Sequence, residues 1–277
     1  MENQAAPDIT DPDIPNVARM YDYYLGGKDN FAADRAAAEQ IMKLFPGTRD
    51  SARENRAFLS RAVRHLVDSG VRQIVDLGSG LPTQGNTHEI AHAVAPGTRV
   101  VYVDYDPVVC THGRALLTGG DNVSIVQADV RAPEMLLAEL RKHVDFDRPV
   151  AFLLLAVLHF IPDEHTGDEH TGGAGAYEIV RRLHEASAPG SHLVVSHATD
   201  TRPDTTPEAL EIYNQATAAL SLRTHAEITR LFDGYQLAEP GLVFPKDWRP
   251  DGPPPLDDPN PSVGYAGVGR KPGPAAA

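Results

Sequence analysis

Asp76-Leu77-Gly78-Ser79-Gly80 closes a strand-like run over residues 71–75, and Val100-Val101-Tyr102-Val103-Asp104 answers it. The first stretch reads as a strand ending in an acid and a glycine-rich turn. The second reads as a buried strand whose terminal acid, Asp104, lies 28 positions after Asp76. Glycine lets a ligand approach backbone without a Cβ in the way, and an acid ending the next strand accepts from ribose hydroxyls. The pair points to a nucleoside-containing cofactor across the carboxyl ends of parallel strands. Later runs extend the pattern. Residues 123–127 lead into Ala128-Asp129-Val130, and the apolar run 150–155 leads into Ala156-Val157-Leu158-His159-Phe160. A continuous apolar run is the mark of a strand buried on both faces. Four successive strands thus end in candidate ligand contacts.

A dinucleotide fingerprint would need a third glycine, and Gly78-Ser79-Gly80-Leu81-Pro82-Thr83 has Thr83 in that place, which weakens an NAD reading. The form acid-x-Gly-x-Gly instead resembles the first motif of class I S-adenosylmethionine-dependent methyltransferases, many of which carry a third glycine where this chain has Pro82. Further marks are residues 14–34, containing Arg19-Met20-Tyr21-Asp22-Tyr23-Tyr24-Leu25-Gly26-Gly27-Lys28, then residues 76–86, Tyr102-Val103-Asp104-Tyr105-Asp106-Pro107 and Ala156 to Phe160. Together they span most of the chain and resemble a largely uncharacterised methyltransferase family. The resemblance implies a Rossmann-like, mostly parallel seven-stranded sheet with helices on both faces, and S-adenosylmethionine as cofactor. It implies that the turn at Gly78, Ser79 and Gly80 passes under the methionine part, beside Asp76. Asp104 and Tyr105 would hold the ribose edge, Asp129 and Val130 the adenine, and Ala156 would end the fourth strand against the cofactor.

The alternation of strands near 72–77, 99–104, 123–127, 149–155 and 191–196 with helical stretches is itself the pattern of a doubly wound sheet. Two helices, over 31–45 and 51–68, precede the first strand and are expected to cap the cofactor edge. This divides the chain into a tail and helical cap over 1–69 and a core over 70–277. A helical insertion near 200–223 lies on the substrate side. Thr224-His225-Ala226-Glu227 is a capping box opening a further helix, and late strands near 235–239 and 263–268 suit a closing antiparallel pair.

Composition narrows the function. Lys and Arg number 25 against 38 Asp and Glu, a formal charge of -13, with no Lys/Arg-rich segment to neutralise phosphates, so nucleic acid is disfavoured and a small-molecule acceptor is expected. No apolar run is long enough for a membrane span. The single cysteine, Cys110, suits a reducing cytoplasm. The tandem Asp163-Glu164-His165-Thr166-Gly167 and Asp168-Glu169-His170-Thr171-Gly172 reads as a tolerant surface loop rather than a metal site.

For chemistry, His159 is the best-placed ionisable residue, as a catalytic base or as a histidine bonding backbone at the strand end. Arg19 or Lys28 is a candidate partner for the methionine carboxylate, with Tyr23, Gly26 and Gly27 in a lid turn. The competing reading makes Gly26 a helix cap. The chain is thus expected to be a methyltransferase, with a non-catalytic S-adenosylmethionine-binding protein as the alternative.

Overall fold

The computed structural model describes residues 9–82, 85–116, 120–163, 173–200, 207–252 and 262–273. Most of the tandem repeat, Thr83, and the ends of the chain lie outside them.

Three helices come first: α1 (Val17–Tyr24), α2 (Ala32–Leu44) and α3 (Thr48–Asp68). The alternating core follows as β1 (Gln73–Leu77), α4 (Thr87–Val94), β2 (Arg99–Asp104), α5 (Pro107–Leu116), β3 (Val123–Gln127), α6 (Pro133–Leu140), β4 (Ala151–Leu155), α7 (Ala176–Ala186) and β5 (His192–Ala198). The chain ends with α8 (Pro207–Asn214), α9 (His225–Arg230), β6 (Gln236–Leu237) and β7 (Gly264–Arg270). The seven strands lie in the order β3-β2-β1-β4-β5-β7-β6. β1 to β5 pair in parallel, and β7 runs antiparallel to both β5 and β6. The sheet expected from the sequence is therefore the one formed.

Alternate residues of each central strand enter different cores, because the side-chain period of a strand is two. Val75, Leu77, Val101, Val103, Phe152 and Leu154 face α6, α7 and α9. Ile74, Val100, Tyr102, Ala151 and Leu153 face α3, whose Phe58, Leu59, Ala62, Val63, Leu66 and Val67 form one apolar stripe. The late edge is shorter than the sequence implied. The β6 ladder ends at Leu237, the Ala238 N–H still donates to the Val268 carbonyl (2.8 Å), and the edge resumes as a bridge from Val243 to Ala266.

A third core joins elements far apart in sequence. Met20 and Tyr24 of α1, Ala37, Ala38 and Ile41 of α2, and Ala209 of α8 pack together. Asn16 caps α1 by accepting from the N–H groups of Ala18 and Arg19, and Gly26 (φ 84°) lies just past its end. No helix among the described residues is long and apolar enough to cross a membrane.

Candidate active site

In the observed strand order the chain moves outward one way from β1 and the other way from β4, so the crevice between their carboxyl ends is the topological switch point. Both turns there are tight. The N–H groups of Gly78 and Ser79 donate to the Val103 carbonyl (2.8 and 3.1 Å), folding the glycine turn onto the end of β2. Gly78 (φ 69°) admits no side chain, because a Cβ would stand 2.5 Å from Val157 of the facing turn. That facing turn is strained: Ala156 has φ 56°, and its N–H donates to both the carbonyl and the hydroxyl of Ser196 (3.1 and 2.9 Å). A non-glycine residue in this region costs of order 1–3 kcal/mol and persists where its surroundings over-determine it.

These turns open on a cavity of about 660 Å³. Asp104 sits on its wall, 7 % exposed. Its carboxylate accepts from the N–H of Gly80 (2.9 Å) and of Asp106 (3.0 Å). Burial raises its pKa to about 6, against the lowering effect of those bonds. The two accepted bonds leave lone pairs on both oxygens for a diol. Asp76 also lines the cavity, but one of its oxygens accepts from the Thr87 hydroxyl (2.6 Å), tying β1 to the start of α4, and burial raises its pKa. Asp129 pairs with Arg131 (2.7 Å), whose guanidinium lies 5.7 Å from the ring centre of Tyr105. Val130 completes this edge.

Over β4 and β5 the cavity meets His159. The Ala198 N–H donates to its Nδ1 (3.2 Å), which places the proton of the neutral ring on Nε2. Burial, with His197 and Arg223 adding positive charge, holds its pKa well below the usual 6.5. His197 is fully committed. Its Nε2 accepts from Arg223 (2.6 Å), its Nδ1 donates to the Ala198 carbonyl (2.6 Å), and burial lowers its pKa to about 4. Arg223, 2 % exposed, also pairs with Asp163 and donates to the carbonyls of Leu158 and Ile161 (2.9 and 2.8 Å). It clamps the turn that carries His159.

The cavity gathers ten of the residues singled out from the sequence: Asp76, Gly78, Ser79, Gly80, Asp104, Tyr105, Asp129, Val130, Ala156 and His159. It does not gather the other five. Arg19 is an interior brace, its guanidinium held by Asp34 (2.8 Å) and by the carbonyls of Ile9, Asp11 and Ile14. Tyr23 donates its hydroxyl to Glu39 (2.9 Å). Gly27 exists for packing: a Cβ there would lie 1.9 Å from the Asp22 carboxylate, which is bonded to the N–H of Asp29 and to Asn30. Gly26 and Lys28 are exposed. The lid expected at this turn is thus the capped end of a helix, and the helix's inner face, Tyr21, Tyr24 and Leu25, lines the cavity instead.

Sequence reasoning missed four residues. Asn16 donates to Asp106 (3.0 Å), pinning the cap to the end of β2. Asp before Pro107 was the visible signal, since Asp106 caps α5 through the Val108 N–H (2.7 Å). Arg56 of α3 lines the cavity and its charge acts on Asp76 and Tyr21. Arg223 and Tyr213 had no local signal. Among the described residues no group of three or more metal-ligating side chains is found.

The profile of a family described as S-adenosyl methyltransferase matches residues 3–272. A crystal structure from Thermobifida fusca YX, of a protein proposed to be a methyltransferase, is 41% identical with a TM-score of 0.82, over 98% of this chain and 100% of that one. A DUF574 family protein from Streptomyces avermitilis MA-4680 is 38% identical with a TM-score of 0.84, over 95% and 99% of the two chains. Comparison with curated proteins gave no match.

Proposed function

The chain belongs to the S-adenosyl methyltransferase family, and on that premise we propose that it transfers a methyl group to a small-molecule acceptor inside this cavity. The observation that carries the reading is convergence. The carboxyl ends of β1, β2, β3 and β4 and the inner faces of α1, α3 and α8 enclose one space. S-Adenosylmethionine, when bound, supplies a methyl group activated on a sulfonium.

The residues present fit that group. The turn offers open backbone at Gly80, above which nothing lies within 4 Å, and Asp104 offers open lone pairs to ribose hydroxyls. Tyr105 and Val130 offer apolar surface to a base, beside Asp129. Arg56, rather than Arg19 or Lys28, is positioned to meet a carboxylate. Among the described lining residues, Asp22, Glu54, Asp76, Asp104, Asp106 and Asp129 outnumber Arg56 and Arg131, which favours a ligand of net positive charge.

Catalysis then rests on orientation and exclusion of water. His159 presents Nε2–H, a donor, so it orients the acceptor rather than removing its proton. That donor role of His159 is the one observation favouring the second reading, a cofactor-binding protein without turnover. Calorimetric titration with S-adenosylhomocysteine tests the cofactor: micromolar binding is expected, and no binding by folded protein sinks the proposal. Acceptor-dependent transfer from labelled S-adenosylmethionine separates the two readings.

A further inference from the structure

The cavity has two chemically distinct halves. Among the described residues, every charged lining residue comes from α1, α3 or the ends of β1 to β3. The lining contributed by residues 155–161, 196–199, 209–222 and 262–265 contains no Asp, Glu, Lys or Arg. This second half is aromatic. The His159 ring lies 4.4 Å from Phe160, Phe160 lies 6.0 Å from Tyr213, and the hydroxyls of Tyr213 and Tyr24 are 3.3 Å apart. One continuous wall therefore runs from the turn after β4, through α8, to α1.

Two hydrogen-bond donors on that wall have no acceptor among the described residues. A pair of phenols shares one proton between its oxygens, so one O–H of the Tyr24–Tyr213 pair has no acceptor among the described residues. Burial raises both phenol pKa values, so both stay protonated. The second donor is the His159 Nε2–H, left over once Nδ1 accepts from Ala198. A charged ligand here would lose its hydration with no counter-ion among the described residues of this half, which the low polarity of the wall makes costly. A flat apolar ligand bearing an oxygen would stack on the rings and accept from the two donors.

Resting on the function proposed above, we propose that this half of the cavity binds an uncharged aromatic acceptor carrying a hydroxyl or carbonyl oxygen, held by donors from His159 and the Tyr24–Tyr213 pair.

The test is calorimetric titration of the full chain, saturated with S-adenosylhomocysteine, with 2-naphthol, naphthalene-2-carboxylate and 2-(aminomethyl)naphthalene. Binding of 2-naphthol at least tenfold tighter than either ion is expected. Tyr24→Phe/Tyr213→Phe should weaken 2-naphthol about threefold to tenfold and leave S-adenosylhomocysteine affinity unchanged. If that double variant does not fold, His159→Asn is the second measurement. Its amide oxygen can still accept from Ala198 but offers no donor in the place of Nε2, so the same loss is expected. Equal or tighter binding of an ion, no binding of 2-naphthol, or unaltered affinity in the variant measured overturns the proposal while leaving the cofactor reading intact. Failure of S-adenosylhomocysteine itself to bind overturns both.

Discussion

Asp104 faces two opposed demands. In the role proposed for it the carboxylate is ionised and accepts from ribose, yet burial favours the protonated form and moves its pKa to about 6. Lowering the pH from 7.5 to 5 should therefore weaken S-adenosylhomocysteine about tenfold, measured by calorimetry, as the ionised fraction falls. Asp104→Asn should weaken binding similarly at pH 7.5. Its effect on stability should stay small, because relief of the buried charge is offset when the new NH₂ confronts the N–H of Gly80 or Asp106. His159 leads to a different expectation. His159→Ala should lower acceptor-dependent transfer in single-turnover assays and leave cofactor affinity nearly unchanged, since only the acceptor side is altered. Because burial holds His159 well below the usual 6.5 and His197 at about 4, neither should place an inflection in the rate between pH 6 and 8. The contrast also explains what could be read from sequence at this scale. Asp104 and the glycine turn are local patterns. The commitment of Arg19 to Asp34, and of Nδ1 of His159 to Ala198, depends on partners 15 and 39 positions away.

Among the elements, the turn after β4 depends on a residue 65 positions from Leu158, Arg223. Arg223→Leu would leave the carbonyls of Leu158 and Ile161 and the Nε2 of His197 without their donor. A loss of about 3–5 kcal/mol is expected in denaturant unfolding. Arg223→Lys should not restore it, because three ammonium protons cannot reproduce a planar fork. The cap is a second such element. Asn16 caps α1, donates to Asp106 and has its own N–H on Asp34. Deleting the first 30 residues should weaken S-adenosylhomocysteine binding as well as transfer, since α1 supplies cavity wall and braces the end of β2. Normal binding by the truncated protein would contradict this. The strands were legible because burial on both faces leaves continuous apolar runs, and the Thr224–Glu227 capping box was legible because it is four residues long. α1 was legible only through the competing reading at Gly26: its stripe of Val17, Met20, Tyr21 and Tyr24 is only eight residues long and is interrupted by the buried charges Arg19 and Asp22. The union of α2 with α8 was not legible, because no local pattern encodes it.

For the molecule as a whole, acid should be the weak side. Burial depresses the pKa of His159, and of His192 and His197 to about 4, so their contribution to stability is present above pH 6.5 and lost as pH falls toward 4. Asp76 and Asp104, with raised pKa values, act in the opposite sense, their contribution being lost as pH rises from 3.8 toward 6. Three strongly shifted histidines outweigh two aspartates, and His65, His88 and His184 are lowered as well. The unfolding temperature should therefore decline steadily from pH 6.5 to 4.5 in scanning calorimetry; a rise over that interval would refute the balance. The sheet order was within reach of the sequence because alternation and right-handed crossovers leave few topologies. The cap expected from the N-terminal helices was within reach too, but its union with α8 was not. That cap meets the core through the bond from Asn16 to Asp106, two residues beyond the acid proposed for ribose. Thermodynamic reciprocity then applies: the factor by which the cap tightens cofactor is the factor by which cofactor tightens the cap. Amide hydrogens in α1 and α2, far along the chain from the glycine turn, should exchange with deuterium more slowly once S-adenosylhomocysteine is bound.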